Sequence, residues 1–369
     1  MKKGVIISVC VGIIIIILIV GFFLLPKPNP ENDSSNQNNQ SPEDNIITEP
    51  EKSSLLTIPV SIEQNCIGFV IGAPDEISLI PAIGGAWARP HPGPFAWGFI
   101  EAVKEEYDFS MTDDYVKSAQ ENNVAILGTI WPFADWDQSV CHSSECEVST
   151  ADIFYPEVKM GFKNGIPKSR CAPCNYDDYQ KFIGKLVERY DGDGVEDMPR
   201  LTIPVKYWEV LNEPEMKSDE MTFFKGTNDE YVQIFTKTKE AIKNECSDCQ
   251  VLHGGAAGVQ TFMLDYWGKI FDSNIVFDIA NIHYIRGSDL STLNVKDFKQ
   301  LLTQRSINKP IWVTESEYEN SNDIPLSVEG ALNAGASKIF FTQFKVGQFG
   351  LPAGGAYSEG YKNIALKCK

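Results

Sequence analysis

Over most of the chain, short apolar runs alternate with stretches whose apolar residues recur at helical spacing. Residues 67–72 read as a first strand, and Trp87-Ala88-Arg89-Pro90 as the end of a second. Residues 124–131, 207–213, 251–255, 278–283, 310–315 and 338–344 supply six more. Between them, residues 179–190, 231–243 and 295–304 carry the spacing of amphipathic helices. Eight apolar strands, each followed by a helix, predict an α/β fold in which a parallel sheet closes into a (β/α)8 TIM barrel. The alternative is a doubly wound open sheet. Such a sheet usually has a glycine-rich phosphate turn after its first strand, and Gly72-Ala73-Pro74-Asp75 is not one.

The N-terminus is a different material. Lys2 and Lys3 precede an uncharged apolar run from residue 5 to residue 25. At about 1.5 Å per helical residue, this run can cross a hydrocarbon core of ~30 Å. The lysines on the short side predict an inside N-terminus and a single-pass anchor in the cell membrane, with the rest of the chain outside. A cleaved signal peptide would have a shorter apolar region ending in small residues, and Phe22-Phe23-Leu24-Leu25-Pro26 offers no such site. Residues 26–54 are rich in Asn, Pro, Glu, Ser and Gln and have too few large apolar side chains to offset chain entropy. They predict a disordered, flexible linker. The glycan-acceptor matches at Asn32 and Asn39 arise easily by chance in such a stretch. The chain therefore divides into an anchor at 1–25, a linker at 26–54 and a barrel domain at 55–369.

A formal net charge of −18, with no basic stripe beyond residue 26, argues against a nucleic-acid partner. Cys10 sits inside the apolar run. The other cysteines are Cys66, Cys141, Cys146, Cys171, Cys174, Cys246, Cys249 and Cys368, an even number that predicts disulfides in an extracellular domain. Cys66 with Cys368 would join the two ends of the barrel, and Cys246 with Cys249 would flank a turn. The remaining four lie in a long insertion after the third strand. A zinc knuckle is the alternative there, because C-x-x-C is a ligand spacing. Asp191-Gly192-Asp193-Gly194 hints at calcium but lacks the later Glu of a full calcium loop, so a capping turn fits better.

Barrel enzymes place their chemistry at the C-terminal ends of the strands. Those ends here carry Arg89, Trp131, Asn212 with Glu213, His283 with Tyr284, and Glu315. Glycoside cleavage needs a protonated carboxyl for the leaving oxygen and an ionised carboxylate for the anomeric carbon, about 5–5.5 Å apart in retaining enzymes. Glu213 and Glu315, closing the fourth and seventh strands, can supply the pair. Each residue has a plainer reading. Asn-Glu-Pro can cap a helix with Pro214 at its first position, and Glu315 competes with Glu317 and Glu319. Arg89 can be a structural ion-pair partner, and His283 can satisfy backbone groups. Trp97, Trp131 and Trp136 can be core residues or platforms for a sugar face.

Trp208-Glu209-Val210-Leu211-Asn212-Glu213-Pro214 resembles the fourth-strand signature of the clan A glycoside hydrolases, which include families 5 and 39. Pro310-Ile311-Trp312-Val313-Thr314-Glu315 resembles their seventh-strand signature. The resemblance spans most of residues 67–345. It implies a retaining glycosidase acting on an oligo- or polysaccharide, with Glu213 as acid/base, Glu315 as nucleophile and Asn212 on the sugar 2-hydroxyl. It also implies that Arg89 supports the nucleophile and that His283 and Tyr284 are the sixth-strand pair, here adjacent rather than spaced by one. Substrate contacts are expected from Arg89, Trp131, Asn212, His283 and Tyr284, and the chemistry calls for no metal or cofactor. Where the clan often ends its eighth strand in Trp, this chain has Gln343-Phe344-Lys345, which leaves the innermost subsite and the sugar open. A surface barrel that binds glycans without turnover, or an adhesive protein, are readings from other classes. No nucleophile-elbow serine, His-Glu-x-x-His or phosphate loop supports another hydrolase or a kinase.

Overall fold

A computed structural model describes residues 55–148, 166–218, 221–285, 289–318, 321–342, 364 and 366–368. The expected anchor and linker, and Gln343-Phe344-Lys345, lie outside these residues. Among the described residues, no helix is long and apolar enough to cross a membrane.

The strands are β1 (Ile67–Val70), β2 (Trp87–Arg89), β3 (Ala125–Ile130), β4 (Tyr207–Val210), β5 (Gln250–His253), β6 (Ala280–Ile285), β7 (Ile311–Glu317) and β8 (Ala336–Phe341). They pair in parallel in the order β5-β4-β3-β2-β1-β8-β7-β6. The two ends of this order meet through isolated parallel bridges, Leu252 with Ile279 and Ala256 with Ile282, so the barrel is nearly closed. This is the expected TIM-barrel architecture.

Each of the first seven strands is followed by a helix: α1 (Leu79–Ala82), α2 (Ser110–Glu121), α3 (Tyr176–Glu188), α4 (Asn228–Glu245), α5 (Thr261–Asp272), α6 (Val295–Thr303) and α7 (Ile324–Ala334). Two helices start about a turn earlier than their apolar spacing indicates, because polar caps set the start. Asn175 accepts from the backbone N–H groups of Asp177 and Asp178 at the head of α3. Thr227 and Glu230 form a reciprocal capping box on α4. At the other end, α7 stops at Gly335, which takes the left-handed conformation (φ 116°) that a side chain disfavours.

Side chains alternate across a strand, so the barrel interior is built in layers. The lower layer is apolar: Trp87, Leu127, Leu252, Ile279, Trp312 and Phe340 are buried together, with Tyr207 stacked 4.9 Å from Trp312. Two residues further along β2, β3, β4, β6 and β7 stand Arg89, Thr129, Glu209, Asn281 and Thr314, all completely buried. A polar layer thus rests directly on an aromatic floor.

Four disulfides close the domain. Cys66–Cys368 and Cys246–Cys249 form as expected. In the insertion, Cys141 pairs with Cys174 and Cys146 with Cys171, so all four sulfurs are engaged in disulfides rather than free as zinc ligands. Asp191-Gly192-Asp193-Gly194 is a turn held by its own carboxylates: Asp197 accepts from Gly192 and Gly194, and Asp193 from Val195.

Candidate active site

Arg89 organises the polar layer. Its Nη1 donates to Glu315 Oε1 at 2.6 Å, its Nε to Glu209 Oε2 at 2.8 Å and its Nη2 to Asn212 Oδ1 at 2.7 Å. Burial alone would lower the arginine pKa, but Glu209 and Glu315 outweigh it and raise the pKa further, so the cation is permanent. It balances the carboxylates around it.

Glu209 was not singled out by the sequence reading. It is completely buried and also receives Thr129 Oγ1 at 2.7 Å and Asn281 Nδ2 at 2.5 Å. The available signal was a lone acid in the middle of an apolar strand, four residues before Glu213. Asn281 and Thr314 had no signal of their own, because register across strands is what brings them to Glu209.

Beyond Val210 the chain leaves the sheet through two left-handed residues, Leu211 (φ 67°) and Glu213 (φ 40°). Such conformations cost of order 1–3 kcal/mol each and persist only where the surroundings hold them. Here the Arg89–Asn212 bond and a bond from Glu213 to His283 do so. On the facing side, the β6–β7 register shifts at His283, so that His283 lies opposite Glu315 rather than Thr314. His283, two residues after Asn281, points inward and meets Glu213. The neighbouring Tyr284 sits with its ring 6.3 Å from that of Tyr318.

The hydrogen bonds fix the state of His283. Nδ1 is 2.7 Å from Glu213 Oε1, and Nε2 is 2.9 Å from Thr314 Oγ1. Thr314 directs its one hydroxyl hydrogen to Asn281 Oδ1 at 2.6 Å, so it can only accept from His283. Nε2 therefore carries the ring proton. Burial pushes the imidazole down to about 4, which leaves Nδ1 a bare acceptor near neutrality. The hydrogen in the Glu213–His283 bond must then come from Glu213. That agrees with the Glu213 carboxyl, which burial pushes up to about 8, against Arg89 and with help from Glu209.

Glu315 stands 3.9 Å from the same Nδ1. One oxygen of Glu213, one of Glu315 and a nitrogen of His283 all lie within 4.8 Å of one another. Burial raises the Glu315 pKa, while the Arg89 guanidinium, bonded to it, opposes the rise. Of the two carboxyls only Glu315 touches the guanidinium, so it is the one that ionises first.

Other expected residues lie elsewhere. Glu317 is buried at the end of β7, and Glu319 lies outside the described residues. Trp131 follows β3 but is completely enclosed. It is ringed by His91, Phe133 and Phe223, and its indole N–H is bonded to Pro92 O. Trp97 and Trp136 pack on each other at 5.2 Å and both donate to Glu101.

No family model and no curated relative matches this sequence. Solved structures do. The chain is similar to a glucosidase from Croceicoccus marinus at 14% identity and a TM-score of 0.55, over 86% of this chain and 69% of that one. It is similar to an endo-1,4-β-mannanase from Rhizomucor miehei at 14% identity and a TM-score of 0.52, over 80% and 90% of the two chains. Xylanase 10B from Thermotoga maritima matches at 13% identity and a TM-score of 0.51, over 85% and 98%. The chain shares its fold with these structures, here a nearly closed barrel of eight parallel strands.

Proposed function

We propose that the protein is a retaining O-glycoside hydrolase that cleaves an extracellular oligo- or polysaccharide by double displacement. Glu213 is the acid/base and Glu315 the nucleophile. The observation that carries this reading is that an oxygen of one carboxyl lies within 4.8 Å of an oxygen of the other. That is close to the ~5–5.5 Å of retaining enzymes and short of the ~6.5–9.5 Å that inverting enzymes need to seat a water. Glu315, ionised against Arg89, attacks the anomeric carbon. Glu213 gives the leaving oxygen the proton that it otherwise directs to His283 Nδ1. Its carboxylate then takes a proton from the water that hydrolyses the glycosyl-enzyme. Asn212, held by Arg89, is placed to meet the sugar 2-hydroxyl. Its role rests on the resemblance, as does that of Tyr284.

Two results test this reading together. Proton NMR at early times should show the first-formed sugar with the anomeric configuration of the substrate; inversion would overturn it. With the folded pKa of Glu213 raised to about 8, the acid form is present below that pH. Activity should therefore fall as pH rises through about 8, and fall on the acid side as Glu315 takes up a proton.

We also propose that residues 5–25 anchor the barrel outside the cell membrane, a reading supported by the lysines before the run and by four disulfides suited to an oxidising compartment. In cells expressing the full chain, the barrel should be open to added protease and remain with membranes after carbonate washing. Release into the wash would count against an anchor.

A further inference from the structure

Two residues beyond Glu213, a second acid is buried on the same loop. Glu215 is 5% exposed, and its Oε1 accepts from the backbone N–H of Ala257 at 2.6 Å. Ala257 belongs to the loop that follows β5. That loop lies against the candidate acid/base pair in three ways. Ala256 O accepts from the backbone N–H of His283 at 2.8 Å, and Ala256 donates to Asn281 O at 3.2 Å. A Cβ placed on Gly255 would come within 1.9 Å of His283 Nε2, so the bare glycine backbone packs directly on the imidazole. A circuit results: Glu213 to His283 through a side-chain bond, His283 to Ala256 through the backbone, Ala257 to Glu215, and Glu215 back to Glu213 along the chain.

We infer that Glu215 is a positioning residue for the acid/base, whose side chain fixes the β5 loop against His283 and through His283 fixes the direction of the Glu213 carboxyl. The inference rests on the reading of Glu213 as the acid/base. The groups facing Glu215 are Glu213 and Lys217 on its own loop, Tyr231 on α4, and Tyr266 and Trp267 on α5. Oε2 has no hydrogen-bond partner of ordinary geometry among the described residues, and the nearby Trp267 indole N–H and the backbone N–H groups of Ala257 and Glu215 only partly offset its burial. A charge on that oxygen would be solvated poorly, and a neutral acid suits the place. Burial, then Glu213, pushes the carboxyl up to about 8. Near neutrality Glu215 is therefore uncharged. The Glu213 charge holds the Glu215 proton on, and the two neighbouring carboxyls titrate as a coupled pair of like charges.

The experiment compares Glu215→Gln and Glu215→Ala with the wild type over the pH range on one aryl glycoside of a weakly acidic phenol, whose departure needs a proton, with Glu213→Gln as control. The amide can still accept from Ala257 and carries no charge. Glu215→Gln should therefore keep most of kcat at the optimum and move the alkaline limb to lower pH. Glu215→Ala should lose about 10- to 100-fold in kcat with KM little changed, the size expected of a displaced catalytic group. An unchanged alkaline limb in Glu215→Gln overturns the inference. So does a loss in Glu215→Gln as large as in Glu215→Ala, or full kcat in Glu215→Ala. If Glu215→Ala does not fold, the limb of Glu215→Gln decides alone. Failure of the underlying reading looks different: Glu213→Gln then cleaves as well as the wild type.

Discussion

Glu315→Gln is expected to lower kcat on the order of 10⁴-fold or more, the scale seen when a covalent nucleophile is removed. No substrate should escape the loss. The amide can still accept from Arg89, so the fold should survive, but it cannot form the glycosyl-enzyme bond on which both half-reactions depend. Glu213→Gln should behave differently. General acid catalysis contributes roughly 10²- to 10⁴-fold, and only in proportion to how much the leaving oxygen needs a proton. An aryl glycoside with a strongly acidic phenol departs without help, and its first step should be nearly unaffected. A natural sugar leaving group should feel the full loss. Measured against a series of phenols, kcat/KM of Glu213→Gln, which reports the first step, should therefore fall steeply as leaving-group pKa rises, while Glu315→Gln stays inactive throughout. If both variants lost the same factor on every substrate, the two roles would not be divided as assigned. If Glu317→Gln, rather than Glu315→Gln, abolished turnover, the nucleophile would lie two residues further along β7.

The difference between what the sequence disclosed and what it withheld lies in the range of the interaction. Strand positions and order depend on local apolar runs, and all eight were legible, although β4 stops at Val210, short of Asn212 and Glu213, and β6 and β7 run two residues past His283 and Glu315. Helix starts were not legible, because Asn175 and Thr227 reach beyond the apolar period to cap the backbone. Which of His283 and Tyr284 faces inward depends on a register shift in the β6–β7 pairing, and no residue in either strand announces it. The polar layer of Thr129, Glu209, Asn281 and Thr314 is set by strands far apart in sequence, and a threonine or asparagine inside an apolar run looks the same whether or not it meets a partner. Glu209 could have been found by asking what a buried acid requires: a cation at the same height in the barrel. Arg89 is that cation, and it was assigned to Glu315 alone. Trp131 is a case that sequence leaves undecided. Its place at a strand end leaves core and sugar platform equally open, and its bonded indole N–H and enclosed ring fit the core.

The dual engagement of Arg89 gives the second large effect. Arg89→Met should destabilise the barrel by about 3–5 kcal/mol, the usual cost of stripping one partner from a buried ion pair. Methionine fills much of the volume but leaves Glu209, completely buried, with Thr129 and Asn281 as its remaining close donors, and leaves Glu315 without its guanidinium contact. Arg89→Lys should recover little, because one ammonium cannot reach Glu209, Glu315 and Asn212 in the planar geometry that the three bonds define. The sign of the pH dependence follows from the same picture. The deficit belongs to carboxylates that have lost their cation, so it should be largest near neutrality and shrink as pH falls and Glu315 is protonated. Denaturant midpoints at pH 7 and pH 5 would read it, and a deficit below about 1 kcal/mol at pH 7 would mean that Arg89 is dispensable to the polar layer. Adding Glu209→Gln to Arg89→Met removes one of the two stranded charges and should restore part of the stability. It should restore none of the activity, since Asn212 and Glu315 still lack the guanidinium that orients them. Recovery of stability without turnover would separate the two tasks of one side chain, neutralising the barrel interior and aiming the groups at its mouth.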